Sequence, residues 1–456
     1  MLHGSIWDKI PRFALPVAAT AILEQLFNAS DIAVVGNFTG DARTVAVAAV
    51  GANSAIIGLV VNLFIGIALG ANVVIAHAIG QGDRETVHKA VHTSVVVALL
   101  GGVLVALLGG VLVALLGELV AAPLLGLLNV PEDVFPLALL YLRIYLAGMP
   151  VILLYNFEAA IFRSVGETKI PLIALFSSGI LNVALNLFFV AVLGMTVNGV
   201  AIATVISNAV SALLLYRRLR RTDMDIHLDP KALRIDLAVF KLILRIGLPA
   251  GIQSAVFSVS NIIIQSAINS LGTVVMAASS AAFNIEIITY DILNSFSQAC
   301  TTFVGQNYGA GQISRCKRTM LLCMAEGLVT LAAAIALILS FGRPLLSIFN
   351  NDPEVVATGY IRLMMVTLSH TFSLLYEVMS GYLRGFGISL TPAILTMVGV
   401  CGIRIAWIQF VFPMSRTFRT IMTVYPVSLC TTMLLLLAAV LIYRPSRRFA
   451  AAETIQ

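Results

Sequence analysis

The chain has 456 residues, 59% of them hydrophobic and only 11% charged, with a formal net charge of +6. Soluble domains carry roughly 25% charged residues, so the composition excludes a water-soluble enzyme or nucleic-acid binder and requires an integral membrane protein. Five cysteines (Cys300, Cys316, Cys323, Cys401, Cys430) form no CxxC pair and lie mostly in apolar segments. They read as small packing residues, not as disulfides or metal ligands.

Apolar stretches long enough to cross a bilayer as helices recur along the whole chain. Twelve spans are predicted: 13–35, 46–78, 88–117, 132–155, 158–190, 194–217, 240–268, 274–306, 316–341, 355–380, 387–412 and 420–443. The first follows only Lys9 and Arg12, and it is too long and too acidic at its centre for a cleaved signal peptide. It contains AILEQLFNASD at 21–31, where Glu24, Asn28 and Asp31 stand at i, i+4 and i+7. That spacing projects all three from one helix face. A carboxylate at mid-bilayer costs about 3 kcal/mol on insertion scales, so the face should look into a bundle interior or a wet cavity, as a cation or proton site. A polar stripe that merely joins helices is the bland alternative.

The second span closes on Gly80-Gln81-Gly82, just past His77, and its Gly66 and Gly70 allow a close helix approach. Glu158 is expected to pair with Arg163 near a cytoplasmic helix end. The fifth span offers Asn182 and Asn186, one turn apart on one face, and the sixth offers Thr204. Residues 217–236 are the only long polar stretch, dividing the chain into an N-terminal lobe (1–222), an inter-lobe loop (223–237) and a C-terminal lobe (238–456).

In the second half the seventh span carries Gln253 and Asn261 but no acid. The eighth carries Glu286, Tyr290 and Asp291, and the helical period puts Asp291 on one face with Asn284, Asn294 and Gln298. Gln253, Asn261, Glu286, Tyr290, Asp291 and Arg404 form the expected substrate cavity. Arg404, in the eleventh span, should counter one of these acids, because an intramembrane arginine needs a partner. Glu377 should approach Arg384. His77 and His370 read as hydrogen-bonded structure.

With both termini cytoplasmic, 21 of the 28 basic residues fall at cytoplasmic ends and only four outside. That bias is the positive-inside signature. The positive charge is therefore a topology signal, and no aromatic-interleaved basic patch argues for nucleic acid.

The halves repeat. Leu15-Pro16 recurs as Leu248-Pro249, Gly80-Gln81-Gly82 as Gly309-Ala310-Gly311, and Tyr141-Leu142-Arg143 as Tyr360-Ile361-Arg362. LLYNFEAAIFRSVGETKIPLIA, from Leu153, aligns with LLYEVMSGYLRGFGISLTPAIL, from Leu374; Tyr155, Arg163, Gly166 and Pro171 meet Tyr376, Arg384, Gly387 and Pro392 at a constant offset of 221. Six spans per half make the repeat parallel, an arrangement of transporters that bind substrate between halves.

Together with TTFVGQNYGAGQ at 301–312 and YNFEAAIFRSVGETKIPL at 155–172, these features resemble the MATE (multidrug and toxic compound extrusion) family over essentially the whole chain. The resemblance implies an all-α membrane fold of twelve helices in two pseudo-symmetric six-helix bundles. It also implies a functional aspartate in the first helix, here Asp31, joined to polar groups of the fifth and sixth helices, here Asn182, Asn186 and Thr204. These four are the possible sodium ligands. Members with that site often carry an Asp where Asn186 stands, which weakens the sodium case. The chain lacks the seventh-helix Glu of the NorM-like branch and looks closer to the DinF-like one.

The resulting expectation is a proton- or sodium-coupled antiporter that exports cationic small molecules by alternating access. It would work as a monomer in the inner (plasma) membrane, with no cofactor beyond the coupling ion and no nucleic-acid partner. A lipid or lipid-linked oligosaccharide flippase of the same wider superfamily is the alternative, opposed by spans that hold acids while the basic residues are almost wholly cytoplasmic. No HExxH, GxSxG or Walker sequence marks an enzyme or ATPase. Burial disfavours the charged form of a lone carboxylate, which tips Asp31 modestly toward protons.

Overall fold

The structure, a computed structural model, describes residues 1–40, 43–115 and 134–446. The expected end of the third span and start of the fourth, within 116–133, lie outside the described residues. Among the described residues the regular structure is helical: α1 (Lys9–Phe38), α2 (Arg43–Gln81), α3 (Arg84–Leu115), α4 (Phe135–Ala147 continued by Met149–Ser164), α5 (Lys169–Asn186, extended by Leu187–Val192) and α6 (Val197–Arg221). The second half follows with α7 (Leu237–Asn269), α8 (Thr273–Gly309), α9 (Ile313–Ser340), a short helix Gly342–Phe349, α10 (Pro353–Gly385), α11 (Leu390–Met414) and α12 (Phe418–Tyr443). Among the described residues, ten helices and the bent pair α4 are long and apolar enough to cross a membrane. The twelfth, α10, is as long but carries Arg362, His370, Glu377 and Arg384.

One boundary differs from the sequence expectation. The fourth span runs on to Ser164 instead of stopping at 155, and α5 starts at Lys169. The interruption sits at Gly166, whose φ of +93° lies in the left-handed region that glycine tolerates. Gly387, its repeat partner, has φ +79° and likewise separates α10 from α11. The α4 axis bends by 51° between its segments, where Pro150 restarts the helix. Gly148 at the bend faces α6 so closely that a Cβ there would lie 2.3 Å from Val205.

The described residues pack as two compact units. One comprises Met1–Ala18, Ala76–Asp83 and the described part of Arg245–Gln456; the other comprises Ala19–Ile75 and the described part of Arg84–Leu244. The start of α1 and the end of α2, N-terminal by sequence, thus pack within the unit of the second repeat. There Phe13 meets Phe303 edge-on with centroids 5.8 Å apart, inside an apolar core built on Phe296, Leu374 and Tyr376. In the other unit the inter-lobe loop is fastened to α3. Asp229 N–H donates to His92 Nε2 at 3.1 Å, Asp236 N–H to Thr93 Oγ1 at 3.0 Å, and Arg84 pairs with Asp225 at 3.1 Å.

The repeat persists in three dimensions. Adding 221 to the first residue of α5 and of α6 gives the first residue of α11 and of α12. Ser178 of α5 is hydrogen-bonded to Ser211 of α6. The same register pairs Gly399 with Thr432, and a Cβ on Gly399 would lie 2.3 Å from the Thr432 hydroxyl. The α5–α6 and α11–α12 crossings are one contact made twice.

Candidate functional site

The α1 face carrying Asp31 meets α5 and α6. Asp31 is 5% exposed, and Asn182, Asn186 and Thr204 are also buried. Asn186 Nδ2 donates to Asp31 Oδ1 at 2.5 Å and Thr204 Oγ1 to Asp31 Oδ2 at 3.0 Å. Asn186 Nδ2 also reaches Asn182 Oδ1 at 3.1 Å, and Asn182 Nδ2 approaches Thr204 Oγ1 at 3.4 Å. The four residues expected to converge therefore form one closed network. Such donors stabilise a buried carboxylate that would otherwise be costly. Directly after Asn186 the helix widens into a π-helical turn, Leu187–Val192, a feature frequent at functional sites.

One atom is unsatisfied. Asn186 Oδ1 is buried with no hydrogen-bond partner among the described residues. Rotating that amide would turn Oδ1 toward Asp31, and two acceptors can meet only through a proton or a cation. A hard monovalent cation is compatible with one carboxylate, two amide oxygens and a hydroxyl. No group of three His, Cys, Asp or Glu side chains able to hold a metal ion occurs among the described residues. The set thus fits an alkali ion or a proton in kind, and a softer metal poorly.

Glu24 and Asn28, placed by periodicity on the same face, stand exposed, and no hydrogen bond among the described residues joins either to Asp31. Their face leaves the helix contact one to two turns before Asp31. Glu24 instead feels the charge of Arg163 on α4. The expected Glu158–Arg163 pair is absent among the described residues. Five positions separate the two by about 140° around a helix. Glu158 is fully buried, and neither carboxyl oxygen has a hydrogen-bond partner among the described residues.

The second repeat builds a different chemistry. Glu286 is clasped by Arg362, with Nε to Oε2 at 3.0 Å and Nη2 to Oε1 at 2.5 Å, while Arg362 Nη1 donates to Ser279 at 2.5 Å. Both side chains are at most 6% exposed. Glu286 is therefore neutralised within the protein and not offered to a cationic ligand. Arg404, expected to counter an acid, instead donates from Nη1 to Asn261 Oδ1 at 3.2 Å and from Nε to Ser428 at 3.4 Å. Gln253 accepts from Arg384 at 2.8 Å, and Arg384 stands 3.9 Å from Glu377 as anticipated. Asp291 is buried, while Tyr290 is 37% exposed.

The Arg362 partnership was hidden because the two residues are 76 positions apart on α8 and α10. The repeated Tyr-x-Arg of Tyr141–Arg143 and Tyr360–Arg362 was the one signal that could have raised it. His370 Nδ1 lies 2.6 Å from Thr289 Oγ1, which gives its proton to Glu286 O. The imidazole must then donate from Nδ1. His77 Nε2 meets Gly385 O at 2.6 Å. Both histidines are hydrogen-bonded structure.

The MatE family profile matches residues 16–188 and 249–408, and a profile of the lipid II flippase MurJ matches 130–272. The chain is similar to the probable multidrug resistance protein YoeA of Bacillus subtilis, with 26% identity over 411 residues covering 88% of this chain and 86% of that protein. It is similar to a probable multidrug resistance protein NorM of Thermotoga maritima, with 27% identity over 414 residues covering 87% and 83%. In structure it resembles the outward-facing conformation of a multidrug resistance MATE family transporter of the MOP superfamily. That match has a TM-score of 0.86 at 21% identity, over 100% of this chain and 98% of that one.

Proposed function

The chain belongs to the MatE family, and from that membership we propose that it is a proton- or sodium-coupled antiporter exporting organic cations and drugs by alternating access. It is a multi-pass membrane transporter and not an enzyme. The observation that carries the proposal is the closed network of Asp31 with Asn182, Asn186 and Thr204, because a ligand shifts a two-state equilibrium only through differential affinity. Neutralising Asp31 removes the charge that holds the Asn186 amide, and the orphaned Oδ1 supplies the second arrangement. Asn182, Asn186 and Thr204 would hold sodium beside Asp31, and a proton would be carried by Asp31 with Asn186 as acceptor. Only one formal negative charge stands in this cluster, which favours the proton.

The lack of an acid in α7 supports the DinF-like branch. The basic-residue bias supports cytoplasmic termini in the plasma membrane, and both compact units form within one chain, in keeping with a monomer. The flippase alternative has the support of the shorter MurJ match alone.

The deciding experiment is dye export in proteoliposomes with proton and sodium gradients imposed separately. Proton-driven export in sodium-free buffer is expected, and Asp31→Asn should insert normally yet fall to background. Wild-type export by that variant would sink the assignment. Asn186→Asp should raise any sodium dependence. A lone cysteine at Asp225, in a cysteine-free background, should react with an impermeant reagent only after cells are opened; labelling of intact cells would invert the topology.

A further inference from the structure

The second repeat carries a buried charge that no carboxylate among the described residues pairs with. Arg404 is 4% exposed. Its Nε and Nη1 find only the neutral oxygens of Ser428 and Asn261. No carboxylate lies within 4.0 Å of it among the described residues, while Arg362 and Arg384 each have one. Aromatic faces take part of the load, with the guanidinium carbon 4.5 Å from the Tyr425 ring centroid and 5.9 Å from that of Phe257. Of its five N–H groups, the Nη2 pair has no hydrogen-bond partner among the described residues. Asn261, which holds Nη1, is itself exposed, so the ion lies directly beneath an accessible surface.

The repeat register shows what this place corresponds to. Aligning Leu15-Pro16 on Leu248-Pro249 sets Glu24 and Asn28 opposite Phe257 and Asn261. The 221-residue offset sets Thr204 opposite Tyr425 and Ser207 opposite Ser428. Of these first-repeat counterparts only Thr204 touches the acid Asp31 among the described residues, whereas in the second repeat Phe257, Asn261, Tyr425 and Ser428 all lie against Arg404. Arg404 stands on the α-helical turn Ile403–Ala406, between two π-helical stretches, Met397–Gly402 and Trp407–Val411.

We propose that Arg404, Asn261, Ser428 and Tyr425 form an anion-accepting subsite, which takes a carboxylate or phosphate group on an aromatic solute through the free edge of the guanidinium. A planar guanidinium presents paired donors that match those anions; the buried Tyr425 ring backs it, and the half-buried Phe257 offers a ring for the solute's aromatic body. The substrate class becomes amphoteric aromatic solutes rather than simple cations. Only the role in export rests on the antiporter assignment; the binding chemistry does not.

The test uses the full-length protein in detergent and a matched dye pair read by fluorescence polarisation. Rhodamine 110 carries a free carboxylate, and rhodamine 123 is its methyl ester. Arg404→Gln should weaken rhodamine 110 by about tenfold or more, the scale of a charged hydrogen bond. Rhodamine 123 should change less than twofold, and Arg404→Lys should recover part of the loss. Equal losses for both dyes, or no loss for rhodamine 110, overturn the subsite.

A readout without any variant guards against misfolding. At constant ionic strength, sulfate replacing chloride should displace rhodamine 110 from the wild type and spare rhodamine 123; displacement of neither or of both counts against the subsite. Added phosphatidylglycerol, against phosphatidylcholine, separates the sources. Displacement of rhodamine 110 by the anionic lipid alone gives the subsite to a phosphate headgroup, and its absence gives it to the solute. Dye binding in detergent needs no ion gradient. Failure of coupled export and failure of the anion subsite are thereby told apart.

Discussion

At the residue scale, two buried carboxylates meet opposite solutions. Asp31 is held by neutral donors that can reorganise when its charge is cancelled, because the Asn186 amide has a second face with an unsatisfied oxygen. Glu286 is held by a guanidinium that cannot lose its charge, in bidentate geometry. One arrangement suits a switch and the other a fixture. Arg362→Met should therefore destabilise the protein by about 3–5 kcal/mol, the cost of leaving a buried charge alone. Adding Glu286→Leu should restore most of that, since apolar replacement of a whole buried pair is often neutral or better. Thermal unfolding of both variants in detergent decides it, and a single variant as stable as the wild type would show that Glu286 does not depend on the pair.

At the element scale, the start of α7 depends on one side chain. Asp236 Oδ1 accepts from the N–H groups of Ala238 at 3.0 Å and Val239 at 3.1 Å, occupying donors that a helix start leaves free. The Val239 N–H chiefly, then that of Ala238 and the charge of Lys89, hold the Asp236 carboxyl below its usual 3.8. A depressed value means that the cap's contribution is present at neutral pH, above the unfolded pKa, and is lost as pH falls through the folded one. Amide exchange in the first turn of α7, referenced to its later turns, should rise below about pH 3.8. Asp236→Ala should raise it already at neutral pH, while Asp236→Asn, which keeps an acceptor oxygen, should not. Unchanged exchange in Asp236→Ala would mean the loop's other ties to α3 hold the helix start unaided.

At the scale of the whole molecule, the duplication shows in a glycine pair where the end of α2 meets α8 within one compact unit. A Cβ on Gly80 would lie 2.1 Å from the Gln306 carbonyl oxygen, and one on Gly309 would lie 2.1 Å from that of His77. Each glycine faces the residue three positions before the other, as a two-fold relation between α2 and α8 requires. Both contacts are with backbone, which cannot rotate away. Gly80→Ala and Gly309→Ala should each destabilise by roughly 1–3 kcal/mol, the usual range for overpacking, and by similar amounts. Unequal losses in melting temperature would break the equivalence of the two ends.

The sequence by itself determined the helical spans, the repeat and the shared face of Asn182 and Asn186. Bilayer length, the helical period and a duplicated register are written in residue order. The family resemblance supplied the pairing of α1 with α5 and α6. Tertiary structure decided the rest, because partners across helices are set by packing and not by spacing. Periodicity put Glu24 and Asn28 beside Asp31, yet α5 and α6 cover only the Asp31 end of that face. Arg362, 76 positions from Glu286, took one of the acids that Arg404 was expected to counter. Arg404 was left with amide, hydroxyl and aromatic neighbours. A side chain's charge is legible in the chain, but what neutralises it depends on which helix lies opposite.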